Sequence, residues 1–337
     1  MIGACTLLLT VSATVLTRPE PTSHLRSIDV GFHHADPVQV ASVPSPSPKP
    51  SPSPSPARSP RPKPAPKPSP VQKLGPEVFS GLGAWVDLWD YELNPVAAIA
   101  DMKRHGVRTL YLQTARFNSD ADIAYPEKVS DWLDSAAKAG VDVVGWYLPA
   151  YSEHLQKDIR RTLAIASFRS SGGSRFDGLA VDIEYKNETS SSDEFNSGIR
   201  KHLDSVRAGV GGSYPLASIV PAPMGMALSP NSWTGFPWGH IGNRSDSVMP
   251  MGYWSYRKDC PQVEKHCPYE YTMRNVAMAA DFTGKPVHAI GGVGNAVTAA
   301  EIGEFVRAVI DSKATGGSIY DYKTTPAGSW GHLGRLD

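Results

Sequence analysis

The sequence predicts an α/β protein whose main domain, residues 78 to 337, is a (β/α)8 TIM barrel, and three observations carry that prediction. Eight apolar runs recur after Ser80, hydrophobic on both faces, as strands of a parallel sheet covered on both sides must be. Amphipathic stretches separate them, several opening on Pro, Asn or Thr and ending in Gly, the residues that start and stop helices. No G-x-G-x-x-G follows the first run, so an open dinucleotide-binding sheet lacks its fingerprint.

The chain opens on MIGACTLLLTVSATVLT, residues 1 to 17, an apolar run of signal-peptide length that predicts secretion or membrane tethering, although no Lys or Arg precedes it. Residues 18 to 43 read as disordered. Residues 44 to 73 hold six Lys or Arg, no acid and proline at nearly every second position until Pro70, the composition of a semi-rigid polyproline II spacer. Fully extended, its Pro/Ser core would reach about 80 Å at ~3.1 Å per residue. An export element followed by such a spacer fits a domain displayed on, or released from, a cell envelope.

Composition bounds the partners. The formal net charge of zero hides a split: residues 74 to 337 carry 25 basic and 30 acidic residues, a net of −5 that argues against nucleic acid. A hydrophobic fraction of 41% is ample for a core.

The predicted strands follow in order: 81–91, 107–116, 141–151, 176–185, 214–223, 246–254, 285–295 and 316–322. Between them, NPVAAIADMKRHG, PEKVSDWLDSAAKAG and TAAEIGEFVRAVIDSKA show the helical period most plainly. Pro250 inside the sixth strand lacks a ladder donor and predicts a local break or bulge.

Active sites of such barrels form at the carboxyl ends of the strands. The fourth strand, FDGLAVDIEY, ends in Asp182 and Glu184, two residues apart and so on one face. If Ala180 shares their parity, both point into the mouth, where adjacent acids with separated pKa values suit proton transfer. An internal ion pair, with Arg116 as the cation, is the alternative. Other strand ends supply Asp87, Asp90, Gln113, Tyr147, Met251, Tyr253 and Asp321. Aromatics gather there too: Trp85, Trp89, Trp146, Tyr151, Trp254 and Tyr256, with Trp233 and Trp238 after strand five. Sugar rings stack their C–H faces on such planes while their hydroxyls seek carboxylates and amides. A carbohydrate partner is therefore expected.

FDGLAVDIEY resembles the strand-four signature of family 18 glycoside hydrolases, D-G-x-D-x-D-x-E followed by Tyr, through Asp177, Gly178, Asp182, Glu184 and Tyr185. MPMGYW is similar to that family's sixth-strand Met-x-Tyr through Met251 and Tyr253. The resemblance implies Glu184 as general acid, Asp182 as the residue that orients a substrate acetamido group, and Tyr253 holding that group from the other side. Ala180 replaces the middle Asp, removing the partner that shares a proton with Asp182, and strand three lacks Ser-x-Gly-Gly. The chain also looks like glycoside-hydrolase-like barrels of secreted actinobacterial proteins. Family 25 muramidases carry a similar strand-four Asp-x-Glu and a strand-one Asp comparable to Asp87.

A glycoside hydrolase without cofactor is the leading expectation, with Asp87 or Asp321 as the second carboxyl whose separation decides retention or inversion. A catalytically inactive glycan-binding barrel is the rival. A metal-dependent hydrolase fits poorly, because His105, His154, His240, His288 and His332 are scattered. The loop after strand six carries Cys260 and Cys267; their spacing and an extracytoplasmic address point to a disulfide that would fix Trp254 and Tyr256 as a wall beside Glu184.

Overall fold

The computed structural model describes residues 75 to 186, 191 to 256 and 267 to 337. The expected export element, the segment 18 to 43, the spacer 44 to 73 and Cys260 lie outside them. Among the described residues no helix is long and apolar enough to cross a membrane.

Eight parallel strands close in sequence order into a barrel: β1 (Gly81–Val86), β2 (Thr109–Arg116), β3 (Asp142–Leu148), β4 (Gly178–Asp182), β5 (Leu216–Pro221), β6 (Ser247–Met251), β7 (His288–Val293) and β8 (Gly316–Tyr320). β8 pairs with β1, in register Gly81 to Gly316 through Ala84 to Ile319. The chain thus folds as the (β/α)8 barrel that the apolar alternation predicts. Helices α1 (Pro95–Arg104), α2 (Pro126–Ala139), α3 (Leu155–Ser167), α4 (Ser192–Val210), α5 (Pro223–Leu228), α6 (Trp238–Arg244), α7 (Pro268–Thr283), α8 (Ala299–Asp311) and α9 (Trp330–Leu333) are spaced along the same chain. The predicted helix signals act as expected: Asn94 caps α1 through Ala97 N–H, Thr298 and Glu301 close a capping box on α8, and Gly140 ends α2 at φ 71°.

Two apolar clusters separate the layers. The larger lies between strands and helices; the smaller fills the barrel with Trp85, Tyr111, Trp146, Ala180, Met249 and Ile290 among others. The barrel has a plug. Just before β1, Pro76–Phe79 forms a 3-10 turn whose Val78 and Phe79 are buried in that interior cluster.

A chain of hydrogen bonds ties this plug to β7, β8 and β1 and fixes every proton in it. The Phe79 carbonyl can only accept, so His288 donates to it from Nδ1 at 2.9 Å. Trp85 Nε1 can only donate, and does so to Ser318 Oγ at 2.7 Å. Ser318 therefore donates its own proton to His288 Nε2, 2.9 Å away. Burial pushes the imidazole down to about 4, keeping it neutral as that arrangement requires.

Pro250 causes no bulge against β5, where pairing runs unbroken from Ala217–Ser247 to Pro221–Met251. Its effect falls on the other edge. β6 meets β7 only at Met251–Ile290 and the isolated bridge Val248–Val287, because a proline has no N–H for that ladder.

Ser318→Ala would strand two buried groups, Trp85 Nε1 and His288 Nε2, each costing about 1–3 kcal/mol when unsatisfied. Denaturant unfolding should show a loss in that range or above. A change under about 0.5 kcal/mol, the scale of an ordinary surface substitution, would refute the role given to the network.

Candidate active site

Side-chain parity decides what reaches the mouth. On β4, Ala180 belongs to the interior cluster, Asp182 shares its face, and Val181 and Ile183 join the outer core. β4 ends at Asp182, so Glu184 stands on the turn beyond it and is exposed. Asp182 is only 6% exposed, and its Oδ1 has no hydrogen-bond partner among the described residues. Burial raises its pKa well above the carboxylate range, and the nearby Glu184 charge adds to the shift.

A second acidic group gathers at the ends of β1 and β8. Asp87 Oδ1 accepts the Trp89 N–H at 2.9 Å, starting a 3-10 turn over Leu88–Asp90, and Oδ2 accepts the Tyr320 hydroxyl at 2.8 Å. Burial raises the Asp87 pKa in spite of these two bonds. Burial likewise pushes Asp90 up to about 6, against the Lys323 ammonium 3.0 Å away. Asp321, also buried, accepts from the Thr324 N–H and hydroxyl at 2.9 and 3.0 Å. Oxygens of Asp87, Asp90 and Asp321 lie within 4.8 Å of one another, close enough to share a cation. Lys323, which also reaches Glu92 at 2.5 Å, already supplies one to Asp90.

Burial first, then Glu184, Asp182, Tyr256 and Asp321, raise the Tyr253 phenol well above the ordinary value. Its ring is 6.3 Å from that of Tyr320 and meets exposed Tyr256 edge-on at 6.3 Å. Below them Trp85 stacks on Tyr111 at 4.4 Å and meets Trp146 edge-on at 5.9 Å. Met251 lies in the same interior cluster.

Other expected residues take different places. Gln113 braces the site from behind: its Oε1 accepts the Leu88 N–H at 3.2 Å, and its carbonyl accepts the Tyr91 hydroxyl, which together hold the turn that carries Asp87. Trp89 stands 62% exposed with the Arg116 guanidinium 4.9 Å over its ring. Tyr147 does not reach the mouth. It is one residue out of phase with inward Trp146, lies in the outer core, and donates to Asp158 Oδ1 at 2.6 Å. Asp158 also accepts the Ala150 and Tyr151 N–H groups, fixing the loop after β3. Trp254 is fully buried in the outer core, 5.2 Å from Phe305, so it forms no wall beside Glu184. Cys267 is buried at the start of α7.

Tyr320 escaped the sequence reading, although the period of two from inward Ser318 marks it.

No family model matches the chain, and no curated protein does. Solved structures do. The fold is similar to a class V chitinase mutant from Cycas revoluta, solved with (GlcNAc)3, at TM-score 0.55 and 10% identity over 76% of this chain and 99% of that one. The PgaB glycoside hydrolase domain from Bordetella bronchiseptica matches at TM-score 0.52 and 12% identity, over 77% and 99%. The spore cortex-lytic enzyme SleL of Bacillus cereus matches at 0.54 and 11%, over 76% and 74%. What the chain shares with them is the chitinase-like barrel.

The buried state of Asp182 has a measurable consequence. Its folded pKa is raised above the unfolded value near 3.9, so stability present at low pH is lost as pH climbs from there toward the folded pKa. Asp182→Asn, which mimics the neutral carboxyl, should gain stability over the wild type by up to about 1.4 kcal/mol for each pH unit climbed. Urea unfolding from pH 4 to 7 checks this; a pH-independent difference would contradict it.

Proposed function

We propose that the barrel is a glycan-acting hydrolase in which Glu184 is the general acid and Asp182 its electrostatic partner. The observation that carries this reading is the pair at the end of β4: a solvent-reaching carboxyl beside a buried one whose pKa burial raises. Proton transfer to a departing glycosidic oxygen needs an acid that meets both solvent and substrate, and a neighbour with a separated pKa lets each keep its role. Exposed Trp89, Tyr185 and Tyr256, on loops after β1, β4 and β6, offer planes for sugar rings. The fold's likeness to a chitinase and to another glycoside hydrolase domain supports this chemistry by analogy.

A purified full-length chain should release reducing ends from a glycan that it binds, and Glu184→Gln should cut kcat by roughly 10²–10⁴-fold, the range for loss of general acid catalysis, with little change in binding. Unchanged turnover in Glu184→Gln would remove the assignment.

The rival, a glycan-binding barrel without turnover, draws support from Ala180, which leaves Asp182 without a carboxyl neighbour on its own strand face. Binding without turnover, indifferent to Glu184→Gln, would favour it.

The sequence further supports export, with residues 1 to 17 as signal or anchor, residues 44 to 73 as a stalk to the cell envelope, and Cys260 bridged to Cys267. Protein recovered from the envelope or medium should contain no thiol at either position. Recovery only from the cytosol, or two titratable thiols in the native chain, would overturn this.

A further inference from the structure

We infer that the β2 side of the mouth is an acidic-sugar subsite, in which Arg116 takes the carboxylate of a glycan whose rings lie against Trp89 and Tyr185. This rests on the hydrolase reading only for the location of the site, since it names the class of sugar that enters.

Side chains from three strand exits form one strip at the mouth. Trp89, on the turn after β1, is exposed, and the guanidinium of half-buried Arg116, the last residue of β2, lies 4.9 Å over its ring. The next residue, Phe117, stacks its ring on that of Tyr185 at 4.5 Å and 28°. Tyr185 is itself exposed and follows Glu184 in the chain. The strip thus runs from the exit of β1, across that of β2, to the neighbour of the assigned acid. Its backbone is firmly held. Arg161 on α3, only 1% exposed, donates from Nη1 to the Arg116 and Phe117 carbonyls at 2.7 and 2.9 Å, and from Nη2 to the Ser119 carbonyl. The Phe117 N–H donates to the Leu148 carbonyl at 2.8 Å, and the Arg116 N–H to Ser119 Oγ at 3.0 Å. Asp87 holds the Trp89 N–H at 2.9 Å from the other side. A buried guanidinium committed to three carbonyls of one loop fixes the backbone that presents Arg116, and a donor fixed in advance loses less entropy on binding.

The chemistry of the strip selects its ligand. Exposed aromatic planes suit the C–H faces of sugar rings. Cation–π attraction needs only the charge near the ring, and the N–H donors around the edge of the guanidinium can still close on a carboxylate through two parallel bonds. A neutral glycan would use the planes and leave the charge unused; a small carboxylate would use the charge and leave the planes. A sugar bearing a carboxylate uses both. Asp87, Asp90 and Asp321, gathered at the ends of β1 and β8, would repel that carboxylate, which turns it toward β2. The net charge of −5 over residues 74 to 337 works against a polyphosphate chain such as single-stranded nucleic acid, which could otherwise stack bases on the same rings.

The test is calorimetric titration of the full chain with tetramers of galacturonic acid and of hyaluronan, the neutral tetramers of glucose and N-acetylglucosamine, acetate, and oligothymidylate. At pH 7 and low salt an acidic tetramer should bind about five- to tenfold more tightly than either neutral one, as expected for one bidentate contact to a partly exposed arginine. High salt should shrink that ratio. Arg116→Gln should bring it close to one, and Arg116→Lys, which keeps the charge without the planar fork, should retain part of it. A ratio unchanged in Arg116→Gln, in protein whose circular dichroism matches the wild type, would overturn the inference. Neutral tetramers that bind as tightly as the acidic ones would overturn it while leaving the hydrolase reading standing. Acidic preference lost in Arg116→Gln but without bond cleavage in either protein would uphold it and remove the hydrolase. Oligothymidylate or acetate binding as tightly as the acidic tetramers would overturn the sugar assignment, and no binding by any probe would overturn the inference.

Discussion

Carboxyl groups buried at the mouth of the barrel are the constraint on which the rest of the site depends. An ionised carboxylate in such surroundings is costly, and the fold meets the cost in two ways. Asp87 and Asp321 are given hydrogen bonds, from Tyr320 and Trp89 in one case and from Thr324 in the other. Asp182 Oδ1 has no such donor among the described residues, and burial raises its pKa instead. The result is a site with two kinds of acid, one anchored by donors and one whose pKa burial raises.

The barrel beneath makes this possible. Trp85, Tyr111 and Trp146 fill the interior below the acids, and the Trp85–Ser318–His288–Phe79 chain pins the floor to the plug. A floor that could shift would admit water and restore solvation to Asp182, and with it an ordinary pKa. Gln113 and Asp158, neither of them open to the mouth, hold the loops after β1 and β3 in place, so the mouth is shaped by polar residues set one layer back.

How much of this could be read from the sequence depends on whether a residue lies inside a strand. Within β4 the period of two correctly orients Ala180 and Asp182, and the parallel apolar runs yield the barrel. Past the strand ends that period has no hold. Trp254 follows the exit of β6 at Met251, where the chain turns, and its side chain falls into the outer core. Glu184 lies beyond Asp182 and owes its exposure to a turn. Tyr147 was separable in principle, since it adjoins inward Trp146, but both are aromatic and only the partner Asp158 shows which one faces the helices. The cluster of Asp87, Asp90 and Asp321 joins residues from the first and last strand ends, a closure that a linear pattern does not reveal.

The protonation state of Asp182 is the most direct probe of the account. A carboxyl carbon resonance for this residue, isolated by comparison with Asp182→Asn in labelled protein, should stay at its protonated position at pH values where the exposed carboxyls have already ionised. A titration near the ordinary aspartate value of about 3.9 would contradict the central claim that burial raises the pKa of this acid.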